Sequence, residues 1–141
     1  MSKIGAVIIA HGRLASELLA AAETVVGELS HVQAVSIDWH DDVEGAKSEI
    51  SRAITEVSDG KGVLLLTDMF GGTPTNIAAM FLEPGEVEII TGTSLPMVVK
   101  VATLDHELPL AEFAKRVVAE GQVAICRAAD LLEPQKMKKD A

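Results

Sequence analysis

Tyrosine is absent, tryptophan occurs once and phenylalanine three times, so aromatic residues make up only 3% of the 141 positions. A core built from this chain is aliphatic and alanine-rich, the composition of a parallel sheet covered by helices on both faces. Cysteine also occurs once, as Cys126. That excludes an internal disulfide and a metal site built on several thiolates, and it suits a reducing compartment. Basic residues are in the minority, and the net charge is −9. Nucleic acid or an anionic membrane surface would call for a basic face, whereas a protein partner with basic patches suits an acidic chain. No apolar run approaches the ~20 residues that span a bilayer. The N-terminus shows no charged stretch followed by a long apolar core and a small-residue cleavage site. The expectation is a cytoplasmic, single-domain protein over residues 1–132 with a polar, lysine-bearing tail over 133–141.

Several reaction signatures are missing as well. Without G-x-x-x-x-G-K-[ST] the sequence does not support bound ATP as a direct donor, and without G-x-S-x-G or G-x-G-x-x-G it does not support a hydrolase elbow or a dinucleotide fingerprint. No repeat, low-complexity segment or internal linker is visible.

What is present is organised around Gly62-Val63-Leu64-Leu65-Leu66-Thr67-Asp68-Met69-Phe70-Gly71-Gly72-Thr73-Pro74-Thr75-Asn76. The short apolar run is a buried strand, the glycine pair a turn, and Thr73-Pro74 an expected N-cap followed by a proline at the first helical position. The remaining chain alternates in the same way. Lys3 to Ala10 forms a strand ended by His11-Gly12-Arg13, and Leu14, Leu18, Ala22, Val25 and Leu29 trace a helix. Val32 to Trp39 is a second strand, and Val43, Ala46, Ile50, Ala53, Ile54 and Val57 mark a second helix. A third helix is expected over Thr73 to Leu82, a fourth strand over Val87 to Thr91, and a helix from Pro96 to about Leu104. A last helix carries Leu110, Phe113, Ala114, Val117 and Val118 and is closed by Gly121, before a short fifth strand, Gln122 to Cys126. Alternating strands and helices predict an α/β, doubly wound open sheet in the order 2-1-3-4 with right-handed crossovers.

In that order His11, after strand one, and Asp68, after strand three, meet at the switch point, where α/β sheets bind ligands. An aspartate on Nδ1–H fixes the tautomer, leaves the Nε2 lone pair facing the cleft, and stabilises the imidazolium formed when Nε2 bonds an electrophile. Gly12, Gly71, Gly72 and the Thr73 hydroxyl supply donors suited to an anion, which together suggests phosphohistidine chemistry. The plainer reading is a strand-end histidine capped by a convenient aspartate. For Arg13 a phosphate or partner contact and a solvated first-turn arginine both stand, and for Trp39 a cleft rim and partial core burial. His40 lacks a second histidine or cysteine nearby and reads as a loop residue, so neither metal nor cofactor is expected. His31 and His106 fall in expected loops and are placed at the surface, and Cys126 reads as a small buried hydrophobe.

These residues resemble a known family. The AHG after strand one, the LLLTDMFGGTPTNIA block and the TGTSLPM segment are similar to the mannose-type IIA component of the bacterial sugar phosphotransferase system, over about Lys3 to Leu132. The GGTP turn fits it better than the related phosphoryl carrier of dihydroxyacetone kinases. The resemblance implies that His11 accepts a phosphoryl group from the phosphocarrier HPr and passes it to a IIB component. It implies that Asp68 is the partner of His11 and that Thr73 hydrogen-bonds the phosphoryl group. It also implies a homodimer that exchanges a C-terminal antiparallel strand, for which Gln122 to Cys126 is in the right place. No IIB domain follows Cys126, so the recipient and any sugar are not readable. A regulatory phospho-switch, read by a partner without sugar transport, uses the same site.

Overall fold

The computed structural model describes residues 2–38 and 42–132. Trp39, His40, Asp41 and the tail over 133–141 lie outside the described residues, and with them the readings placed there. The elements run β1 (Gly5–His11), α1 (Leu14–Val26), β2 (Val32–Ile37), α2 (Val43–Val57), β3 (Val63–Thr67), α3 (Gly72–Ala78), a 3-10 turn (Ala79–Phe81), β4 (Val87–Ile90), α4 (Leu95–Thr103) and α5 (Leu110–Val123). The sheet is wholly parallel in the order β2-β1-β3-β4, the doubly wound arrangement expected.

Period-two alternation along the strands sends side chains to two separate cores. Ile8, Leu64 and Leu66 pack on one face with Ala15, Ala22, Val98, Val101, Phe113 and Val117 from α1, α4 and α5. Val7, Ile9 and Leu65 pack on the other with Ala46, Ile50, Ala53 and Val57 from α2 and Ile77 and Ala78 from α3. Because both faces are covered, β1 and β3 are apolar almost without interruption. α2 begins at Asp42, whose carboxylate accepts the Gly45 N–H at 2.7 Å as an N-cap.

Five expectations need correction. The buried stripe of α1 is Ala15 and Ala22, flanked by Leu18 and Leu19, while Leu14 and Val25 are exposed. The small alanines let this helix sit close on the sheet, which turns the larger residues outward. α3 is capped by Gly71, so Thr73 lies inside its first turn, and the last turn tightens to 3-10 before Leu82. Gly121 does not close α5. It is buried within the helix, and a Cβ there would lie 2.6 Å from the Met97 sulfur, so its role is close approach to α4. The fifth strand over 122–126 is not formed: Gln122 and Val123 continue α5, and the Ala124 N–H still donates to Glu120 O at 3.0 Å. Residues 125–127 form no strand, and Cys126 is exposed rather than buried. A short apolar run has no periodicity long enough to separate a helix end from a strand.

Candidate functional site

The register that pairs Ile9 with Thr67 brings the ends of β1 and β3 level, so His11 and Asp68 emerge side by side from the carboxyl edge of the sheet. Asp68 Oδ2 accepts the His11 backbone N–H at 3.1 Å and lies 2.8 Å from His11 Nδ1. Its other oxygen, Oδ1, accepts the Met69 N–H at 3.0 Å. Burial alone would raise the Asp68 carboxyl. The hydrogen bonds from the His11 ring and backbone, the His11 charge and the Asp68 residue's own backbone amide outweigh it and hold the group below the usual carboxylate range. An ionised carboxylate can only accept, so Nδ1 carries the proton and the neutral ring keeps its lone pair on Nε2. The His11 side chain is half exposed while Asp68 is 11% exposed: an imidazole open to solvent, backed by a sheltered charge.

Gly71 and Gly72 hold φ angles of 85° and 80°, a left-handed backbone that side-chain-bearing residues rarely adopt. A Cβ on Gly72 would sit 3.7 Å from Nε2 and Cε1, so the bare glycine lies alongside the Nε2 edge of the ring. Thr73 is exposed in the first turn of α3, and its hydroxyl makes no hydrogen bond to the described residues. Of the three glycines expected to cradle an anion, Gly12 is differently used: its N–H donates to Ile37 O at 3.2 Å and closes the turn out of β1. Arg13 is exposed at the N-cap position of α1.

One cluster was not foreseen. The Thr75 hydroxyl donates to Met69 O at 2.7 Å and meets the Thr67 hydroxyl at 3.1 Å, while Thr93 donates its hydroxyl to Thr67 O at 2.8 Å. The available signal was a threonine at or just after each of three neighbouring segments, TD, TPT and TGT. Around the site the exposed apolar side chains are Leu14, Met69 and Phe70, the last 82% exposed.

The remaining described histidines are not surface residues. His31 is 7% exposed with both ring nitrogens unpartnered, and its ring stands edge-on to His106 at 5.3 Å. His106 Nδ1 accepts the Ile4 N–H at 2.9 Å, and its ring lies 5.0 Å from Phe113. Loops they are, but loops folded under the amino ends of the strands. Burial, the Lys3 charge and His106 lower His31 to about 4, and burial lowers His106 too.

A sheet-end histidine with a sheltered aspartate and a glycine turn fits more than one chemistry, and comparison with known proteins decides the family. The sequence profile described as "PTS system fructose IIA component" matches residues 5–118. The chain belongs to that family. This IIA component is 27% identical over 134 residues to the "PTS system fructose-specific EIIA component" of Bacillus subtilis, covering 94% of this chain and 92% of that one. It is 35% identical over 103 residues to the "PTS system mannose-specific EIIAB component" of Escherichia coli K12, covering 69% of this chain but only 30% of that longer protein. Among solved structures it is similar to the "Mannose/sorbose specific IIA subunit of phosphotransferase system" from Enterococcus faecalis, with a TM-score of 0.79, 30% identity, and 89% and 94% of the two chains covered. The mannose-type resemblance and the fold are thereby established, and phosphoryl transfer within a sugar phosphotransferase system is the family's business. Among the described residues, no helix of this IIA component is long and apolar enough to cross a membrane.

Proposed function

We propose that this IIA component is a cytoplasmic phosphoryl carrier whose acceptor is Nε2 of His11. The observation that carries the reading is the 2.8 Å contact between His11 Nδ1 and Asp68 Oδ2, which turns Nε2 and its lone pair toward solvent. Nε2 attacks the phosphorus of a phosphohistidine on HPr. The donor's N–P bond breaks, its electron pair returns to the donor imidazole, and a new N–P bond forms on His11. Asp68 stabilises the imidazolium so created. The Thr73 hydroxyl and the amides of Gly71 and Gly72 donate hydrogen bonds to the phosphoryl oxygens beside the ring. Donor and acceptor bonds are alike in energy, so what the site contributes is position and charge stabilisation. Reversal of the step onto a IIB component completes the cycle. Exposed Met69, Phe70 and Leu14 favour a protein-borne phosphoryl group over a small free donor, because they offer apolar contact area around the nucleophile.

The decisive experiment is labelling with enzyme I, HPr and phosphoenolpyruvate. The adduct is expected to be acid-labile and alkali-stable, to be absent from His11→Ala, and to persist in His31→Phe, His40→Ala and His106→Phe. Undiminished labelling of His11→Ala overturns the assignment.

The same reading includes a homodimer in which the end of α5 and the segment after it pack against the partner. The motive is the unusual exposure of Val123 at 77% and Ile125 at 84%, apolar area that a second chain would cover. A clean monomer by light scattering at micromolar concentration removes this element without touching the first.

A further inference from the structure

The loop that carries Asp68 has little to hold it. Met69 and Phe70 face solvent, and two left-handed glycines follow. Ordering such a segment costs backbone freedom, so something must restrain it. We propose that Thr75 is a positioning residue for the transfer site, its hydroxyl tying the Asp68 loop to the buried end of β3. The proposal rests on the reading of His11 and Asp68 as the phosphoryl-transfer pair.

The direction of the hydrogen bonds follows from counting protons. A threonine hydroxyl has one. Thr75 gives its proton to Met69 O at 2.7 Å, so across the 3.1 Å contact Thr67 is the donor and Thr75 the acceptor. Thr67 is fully buried, and Thr75 is the acceptor its hydroxyl uses. Thr67 is itself immobilised, since its carbonyl accepts both the Thr93 N–H at 3.1 Å and the Thr93 hydroxyl at 2.8 Å. A continuous line therefore runs from the loop after β4 through Thr93, Thr67 and Thr75 to the Met69 carbonyl. The Met69 N–H in turn holds Asp68 Oδ1, and Asp68 Oδ2 holds His11. Residue 69 is gripped at its carbonyl by Thr75 and at its amide by Asp68, with no packing of its own to replace either.

The test uses three variants of the full chain: Thr75→Val, Thr75→Ser, and the double variant Thr67→Val/Thr75→Val. Valine at 75 orphans the buried Thr67 hydroxyl as well as releasing Met69, so lowered stability is expected together with roughly fivefold to tenfold slower phosphorylation by phospho-HPr. Serine keeps the hydroxyl and restores both. The double variant removes the orphaned donor, so its melting temperature returns toward that of the unaltered protein while transfer stays as slow as in Thr75→Val. A purely structural threonine would regain speed along with stability, and that result overturns the proposal. A second readout needs no phosphoryl donor: the Asp68 carboxyl, followed by NMR, is expected to titrate higher in Thr75→Val and in the double variant, and unchanged in Thr75→Ser. An Asp68 titration identical in all four proteins overturns the tie. Failure of the unaltered protein to be labelled on His11 would instead strike the acceptor reading and leave this second test standing.

Discussion

One sheet presents histidine at both of its ends under opposite conditions. At the carboxyl end His11 is half exposed and backed by a carboxylate at 2.8 Å. At the amino end His31 and His106 lie together under the strands, with the Lys3 charge acting on both, Asp105 and Lys61 near His106, and Phe113 the floor. The first environment fixes the ring's tautomer through the Asp68 contact and leaves Nε2 open to solvent. The second penalises a positive ring and offers no carboxylate hydrogen bond, so it holds neutral, inert imidazoles. Residue type is shared; the partner decides what the residue can do.

The comparison can be broken from the carboxyl end most severely. Asp68→Asn leaves the size of the group but takes away its charge and allows the opposite tautomer, giving His11 something of the condition of His31. Transfer is expected to slow by on the order of 10² or more, as with other aspartates that orient a reacting histidine. Stopped labelling with phospho-HPr measures it, and a rate equal to that of the unaltered protein would remove Asp68 from the mechanism.

At the amino end the expected effect is on stability. The His31 pKa falls from 6.5 to about 4 on folding, so its contribution is present in full above pH 6.5 and is lost as the pH drops toward 4. The loss is on the order of 2 kcal/mol. In thermal melts His31→Phe should lose less stability than the unaltered protein between pH 7 and pH 4.5; parallel curves would show that the ring is not kept neutral. Asp68 acts in the same direction at lower pH, since its lowered carboxyl stabilises above the unfolded value and ceases to do so as acid protonates it.

Smaller effects sharpen the contrast. Thr73→Ala leaves the His11–Asp68 contact alone and removes the hydrogen bond proposed to the phosphoryl group, about 1.5 kcal/mol or roughly a tenfold slower transfer. A Thr73 variant slower than Asp68→Asn would reverse the two roles. His106→Phe keeps a flat ring against Phe113 but deprives the buried Ile4 N–H of its acceptor, costing about 1 kcal/mol of stability with labelling of His11 unchanged.

The two ends also differ in how much of them could be read from sequence. The strand order and the meeting of His11 with Asp68 were legible because continuous apolar runs in β1 and β3 leave little choice of topology, and the switch point then follows. The glycine pair announced its turn. What stayed hidden depended on partners remote in sequence. His31 and His106 fell in segments without periodicity, and nothing local marks a loop that folds under a sheet. The Thr73-Pro74 pair imitates a capped helix start, yet the left-handed Gly71 and Gly72 begin the helix earlier. Thr75 reads locally as an ordinary helix residue; its bonds to Thr67 and Met69 exist only because the loop folds back. Gly121 reads as a helix stop because nothing in α5 reveals Met97 on the facing helix.

The position of β1 in the middle of the sheet has a bearing on how the molecule is made. β1 pairs with β2 on one side and β3 on the other, so the strand that emerges first is completed only when residues up to Thr67 have joined it. At about 5–20 residues per second, a ribosome needs roughly 3–13 s to proceed from His11 to Asn76. For most of that interval His11 exists without Asp68 or the glycines that flank it. On the role proposed for His11, competence to accept a phosphoryl group arrives with closure of the longest-range strand pairing in the sheet. Pulse labelling during refolding would then time the docking of β3 onto β1 rather than the collapse of the chain.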